Sequence, residues 1–166
     1  MPKECGVIYL DSAGVERQAE YWQDMDVLLA WDREADDIGA PQNVEALHRL
    51  IGTGRPVWYR GGLETVHTAE LIIGLGCEKV IISKGFFKTD RMPQHFVRRL
   101  REACVPLLET LENFNTACNA AARWAYCVDP GIAQVAAAHM NVVVEGPCVP
   151  NAWGVASLPD EATNRI

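Results

Sequence analysis

Short runs rich in Val, Ile, Leu and aromatic residues alternate along this chain with stretches of helical periodicity. "GVIYLD" (6–11) predicts a strand ending in Asp11, "VERQAEYWQDM" (15–25) a polar-faced helix, and "DVLLAW" (26–31) a second strand that runs into Asp32. After the polar loop "READDIGAPQ", Val44, Leu47, Leu50 and Ile51 fall on one face of a helix over 43–51, with Asn43 placed as its N-cap. "PVWY" (56–59) predicts a third strand. Thr65 opens the next helix, "VHTAELIIGL", and Gly76 closes it. "KVIIS" (79–83) is a fourth strand, apolar enough throughout to be covered on both faces, as strands of parallel sheets are.

Strands opened by Val27, Val57 and Val80 are separated by one loop and one helix each, which implies βα units and a parallel sheet, because parallel neighbours need a crossover. Beyond residue 93 the pattern loosens. Residues 93–124 read as mostly helical with a break at Pro106, "AYCVD" (125–129) and "NVVVEG" (141–146) as two further strands around the helix "GIAQVAAAHM", and the segment 147–166 as aperiodic loop.

The 166 residues are enough for one domain with a sizeable core. A net charge of −7 argues against a nucleic-acid backbone as partner, and the one basic strip, "VRRLR" (97–101), suits a solvated helix face. Cys5, Cys77, Cys104, Cys118, Cys127 and Cys148 form no CxxC pair and no zinc-type spacing with the four histidines; they read as reduced thiols, mostly small buried hydrophobes. No apolar run reaches the roughly 20 residues a membrane helix needs, and the start lacks the features of a secretory signal, so a cytoplasmic protein with no membrane partner is expected.

In parallel α/β folds ligands bind at the carboxyl ends of the strands. Those ends carry Asp11, Asp32, Arg60-Gly61-Gly62, Ser83-Lys84-Gly85 and Asp129. Gly61 and Gly62 expose backbone N–H groups ahead of a helix N-terminus, which suits an oxyanion; Ser83, Lys84 and the Gly85 N–H offer a second grip one βα unit later. Two tight turns would need the same glycines. Asp11 suits a general acid/base, or a cap for the helix that follows. Asp32 and Arg60 are placed to orient a substrate, although an acid at Asp32 also suits the opening of a polar loop. His48 and His67 lie within helices and are assigned no chemistry. The five tryptophans, Trp31 and Trp58 among them, read as core.

The segment "GAPQNVEALHRLIGTGRPVWYRGGLETVHTAELIIGLGCEKVIIS" (39–83) resembles the phosphoribosyl isomerase and cyclase barrels of histidine biosynthesis, HisA and HisF, and the HisA-type isomerase most. The order is shared: an Asn-Val-Glu helix start, a strand ending in glycines, a helix closing on Leu-Gly, then Lys-Val-Ile-Ile. With "VIYLD" the likeness extends over roughly 6–92. It implies a TIM-type barrel, Amadori rearrangement of a phosphorylated ribotide, no metal and no cofactor, with Asp11 as catalytic acid/base. The family's second acid ends the fifth strand, and Asp129 is the candidate. Four positions depart from the pattern: Arg60 replaces a glycine, Leu63-Glu64 follow the pair, and Lys84 stands where a small residue is usual.

A full barrel of this kind needs roughly 200 residues or more. The fold expected is therefore α/β with parallel βα repeats, a truncated or half TIM barrel over 1–104 and a divergent extension over 105–166. Open strand edges in such a half barrel imply a second copy or a partner chain that completes it. Three functions follow: a HisA-type isomerase, a HisF-type cyclase relative, or a non-catalytic half barrel that binds a sugar phosphate or a partner.

Overall fold

In the computed structural model, which describes residues 1–159, eight parallel strands close into a barrel in the order β1 to β8. The strands are β1 (Lys3–Tyr9), β2 (Val27–Trp31), β3 (Val57–Gly61), β4 (Lys79–Ile82), β5 (Cys104–Leu108), β6 (Trp124–Cys127), β7 (Asn141–Glu145) and β8 (Gly154–Ser157). The ring is sealed by Lys3–Gly6 of β1 pairing with Gly154–Ser157 of β8. The parallel α/β expectation is met, but the expected incompleteness is not. The segment from 105 onward, expected as a divergent extension, supplies all but the first residue of four strands, β5 to β8. Residues 160–166 of the segment expected as loop lie outside the described residues.

The size argument fails because each unit is short. The helices α1 (Val15–Tyr21), α2 (Arg33–Ile38), α3 (Val44–Ile51), α4 (Val66–Leu75), α5 (Met92–Leu100), α6 (Leu111–Asn119) and α7 (Pro130–Ala136) hold six to ten residues each, and β7 reaches β8 without a helix. A closed ring has no edge strand, so the open edges from which a completing partner was inferred do not exist.

Alternation along each strand divides the core in two. Cys5, Val7, Tyr9, Val27, Leu29, Trp58, Ile81, Val105, Leu107, Trp124, Tyr126, Val143 and Ala156 fill the barrel. The intervening positions, such as Ile8, Leu28, Val80, Val142 and Val144, meet the helices through Leu47, Leu50, Ile72, Phe96 and Phe114. Inside the barrel Trp58 stacks on Trp153 at 5.4 Å, and Trp124 meets both rings edge-on. The Lys79 ammonium sits 4.0 Å from the Trp124 ring centroid, on the amino-terminal side of β4. These tryptophans are core, as expected.

Local signals explain the boundaries. Thr65 caps α4 by accepting from the Thr68 N–H. Asn43 occupies the N-cap position of α3 but makes no cap bond, because its side chain donates to Asp32 instead. Within the "VRRLR" strip Arg98 and Arg99 are on the exposed face of α5, where Arg99 pairs with Glu70, as the solvated-face reading expected, while Leu100 is buried. Gly74 lies within α4 on its exposed face, and nothing lies within 4 Å of an added Cβ. Gly74→Ala is therefore expected to raise stability by about 0.5–1 kcal/mol through helix propensity. An increased thermal unfolding midpoint is the check, and an unchanged or lower one contradicts it.

Candidate functional site

Tyr9, Trp31 and Arg60 lie in register at the carboxyl ends of β1, β2 and β3. Beside them opens a cavity of about 320 Å³, bounded by α2 on one side and by the loops after β3, β4 and β5 on the others. Arg60, Gly62, Ser83, Lys84 and Gly85 line it, together with Asp36, Asp37, Glu64 and Glu109. The two glycine-bearing loops singled out in the sequence thus face one space. Gly61 is buried and is not part of the lining.

The glycines are also demanded by packing. A Cβ on Gly62 would lie 1.9 Å from the Ala35 carbonyl oxygen, and one on Gly85 would lie 2.1 Å from that of Leu63. The chain passes so close to backbone at these points that any side chain is excluded. The turn reading and the ligand reading therefore hold together: close packing requires the glycines, and the same loops border the cavity. Charge sets a further condition. Four carboxylates border the space against two cations, and Glu64 is engaged by Lys88 at 3.2 Å. Lys84 makes no ion pair among the described residues, whereas Arg60, the other cation of the lining, is paired with Glu145.

Arg60 is the most constrained of them. Its guanidinium lies 3.6 Å from the Trp31 ring centroid and 5.3 Å from that of Tyr126, and its Nη1 donates to Glu145 Oε2 at 3.3 Å. The Tyr126 hydroxyl donates to the same carboxylate oxygen at 2.6 Å. Burial pushes the Tyr126 phenol well above its ordinary pKa, and the Glu145 charge adds to that, so the phenol keeps its proton and donates. In a ring of eight strands β3 lies opposite β7, and β2 opposite β6. The Arg60–Glu145 pair therefore bridges the barrel mouth.

Asp11 stands two residues beyond β1 and holds Arg33 through two hydrogen bonds, at 3.0 and 2.9 Å. It caps nothing: the N-cap of α1 is Gly14. The Arg33 hydrogen bonds hold its carboxyl below the ordinary range, so Asp11 is an anion at neutral pH. It lies at the carboxyl end of the barrel but outside the cavity lining.

Asp32 is fully buried and accepts from the Gln42 and Asn43 N–H groups, from Asn43 Nδ2 and from the Tyr59 hydroxyl. With four donors around it and no exposed surface, it does not face the cavity. Its work is to tie the loop before α3 to β3. Asp129 follows β6 rather than the fifth strand, and its carboxylate caps α7 through the Gly131 and Ile132 N–H groups. The acid that follows β5 is Glu109, and it lines the cavity.

Glu109 was missed because "CVPLLE" reads as a helix broken by proline. The structure makes Pro106 a strand residue facing Ile82. The clue was a continuous apolar run too short for a helix. Glu145 was passed over because only its tertiary partner, Arg60, marks it. Asp36 and Asp37 sit on α2, in a stretch that reads as loop.

His48 and His67 are exposed, and no group of three or more His, Cys, Asp or Glu among the described residues has metal-binding geometry. Cys5, Cys77, Cys104 and Cys127 are buried, and burial pushes their thiols up to about 12, so they stay protonated at neutral pH. Among the described residues no helix is long and apolar enough to cross a membrane.

No protein-family model matches the chain. Over 89 residues, 52% of its length, it is 32% identical to a Vibrio vulnificus (strain YJ016) protein named "Putative imidazole glycerol phosphate synthase subunit hisF3". That stretch is 34% of the relative, so the chain matches about a third of that protein's length. The chain is thus similar, over about half of its residues, to part of that protein.

Proposed function

We propose that this barrel is a compact relative of the HisA and HisF enzymes and that the cavity at its carboxyl end binds a phosphorylated ribotide or sugar phosphate for an Amadori-type isomerisation. One observation carries the reading: the loop after β3, the loop after β4 and the acid following β5 all border a single cavity. The likeness to the Vibrio vulnificus protein supports the family but does not distinguish isomerase from cyclase chemistry.

In this reading Lys84, Arg60 and the Ser83–Gly85 and Gly62 backbone hold the phosphate. Strands β1 and β5 lie opposite each other, which puts Asp11 and Glu109 across the mouth. Glu109 protonates the ring oxygen as the ring opens to an imine. Asp11, kept anionic by Arg33, takes the proton from carbon 2 and returns it to carbon 1, while the carbon 2 hydroxyl gives its proton to Glu109, which leaves the aminoketose and both carboxyls as they began. The test is incubation of the ribotide aminoaldose with the protein, following the ketose product. Turnover that disappears in Asp11→Asn and in Glu109→Gln, with thermal unfolding unchanged, supports the assignment. Equal turnover in either variant contradicts the role given to that residue.

A second reading is binding without chemistry. The two-bond Arg33 clamp favours it, because a carboxylate so stabilised is a weak base. Calorimetric binding of the ribotide with no product formed would decide for it.

A further inference from the structure

We propose that Arg60 is the anion receptor of the cavity and that Glu145 occupies it in the resting protein, as an internal stand-in that a ligand's phosphate displaces. The inference deepens the proposed function and rests on the reading that this cavity binds a phosphorylated ligand.

The geometry of Arg60 carries it. The guanidinium carbon lies 3.6 Å from the Trp31 ring centroid and 5.3 Å from that of Tyr126, and its hydrogen bonds are made in its own plane, along the edge. Along that edge Nη1 is taken by Glu145. Among the described residues Nε and Nη2 have no hydrogen-bond partner, yet no atom of the side chain is both buried and unsatisfied. Those N–H groups therefore reach open space, and the space Arg60 borders is the cavity. A planar cation held against the Trp31 ring, with N–H groups open at one edge, is arranged for in-plane, two-point recognition of an oxyanion.

The strand positions say why Glu145 is there. Arg60 projects from β3 and Glu145 from β7, opposite each other, and their side chains are only 15% and 19% exposed. An arginine buried to that degree without a counter-charge would be costly, and Glu145 supplies the charge while no ligand is bound. The Tyr126 hydroxyl, at 2.6 Å, gives the carboxylate a second donor that stays with it when Arg60 turns to a ligand. The carboxylate and an incoming phosphate repel each other at short range, so Glu145 opposes binding even as it holds the receptor.

The effect of removing each charge follows. With Glu145→Gln the amide oxygen still accepts from Arg60 and Tyr126, but the competing charge is gone. Ribose 5-phosphate, titrated by calorimetry into the full chain, is expected to bind about 3–10-fold more tightly to Glu145→Gln than to the parent. Arg60→Lys keeps the charge but loses the planar edge, and binding should weaken. Arg60→Met should weaken it by at least about tenfold. The double variant Arg60→Met/Glu145→Gln leaves no lone charge buried, so it is expected to fold and still to bind at least about tenfold more weakly.

Parent binding that survives unchanged in the double variant overturns the receptor assignment and leaves the phosphate-site reading standing. Weaker binding in Glu145→Gln at an unchanged unfolding midpoint overturns the stand-in role. No binding by either the parent or Glu145→Gln overturns this inference and the phosphate-site reading together.

Discussion

Gly62→Ala is expected to cost the fold about 3 kcal/mol or more. The added methyl would meet the Ala35 carbonyl oxygen at 1.9 Å, the Ala35 carbonyl carbon at 2.8 Å and Gly39 Cα at 2.9 Å. All three are backbone atoms, so no rotamer change relieves the clash. The Ala35 carbonyl is itself bound by the Gly39 N–H, which closes α2 in a left-handed turn. Relief therefore means lifting the whole end of α2 away from β3. Because α2 forms one wall of the cavity, ligand binding should fall together with stability. Urea unfolding with an unchanged slope and a midpoint lowered by that amount is the expected result; a loss under about 1 kcal/mol would show that the two segments move apart easily. Gly74→Ala, of opposite expected sign, is the natural companion, since it is the same substitution made where no atom is near.

The second large effect is at Asp32. Removal of its carboxylate in Asp32→Ala strands the Gln42 and Asn43 N–H groups, the Asn43 amide and the buried Tyr59 hydroxyl, held now at 2.8 to 3.1 Å. Hydrogen bonds to a charged acceptor are worth about 1.5–3 kcal/mol each and do not add fully, so a loss of about 3–4 kcal/mol is expected. Asp32→Asn keeps the shape, but its amide nitrogen cannot accept, and about 2 kcal/mol should be lost. Denaturant unfolding measures both. Hydrogen exchange gives an independent reading: the amides of residues 42 and 43 should lose protection while strand amides of β5 and β6 keep theirs. Unchanged protection at those two amides would mean that Asp32 does not hold the loop.

Asp32 also shows how far residue type can be read without partners. An acid at the end of a strand in a parallel α/β protein fits a substrate-orienting role, a helix cap or a loop anchor equally well. Asp11, Asp32 and Asp129 turned out to differ completely: one is clamped by Arg33, one is buried under four donors and one caps α7. What separates them is the distance to groups far along the chain, Asp32 from Tyr59 and Asp11 from Arg33. The glycines were more legible, because closeness of approach is a property of the missing side chain itself. Gly62 and Gly85 sit where a Cβ cannot.

Alternation of apolar strands with helical segments was enough to specify parallel βα units, since burial on both faces and the need for a crossover are local in origin. It located β1 to β4, β6 and β7 and the helices α1, α3, α4 and α7, though not α2, and it named Gly62, Ser83, Lys84 and Gly85, which share one cavity. Closure of the ring was decided only by tertiary structure. The short strand β8 has no periodic signature of its own and exists because β1 and β7 each present an unpaired edge to it. Strand β5 is likewise a strand because β4 and β6 flank it, despite the proline at position 106. The barrel mouth depends on the same closure. Arg60 and Glu145 stand 85 residues apart in the chain, and only a closed eight-stranded ring sets β3 and β7 opposite each other, so that the two charges meet across it.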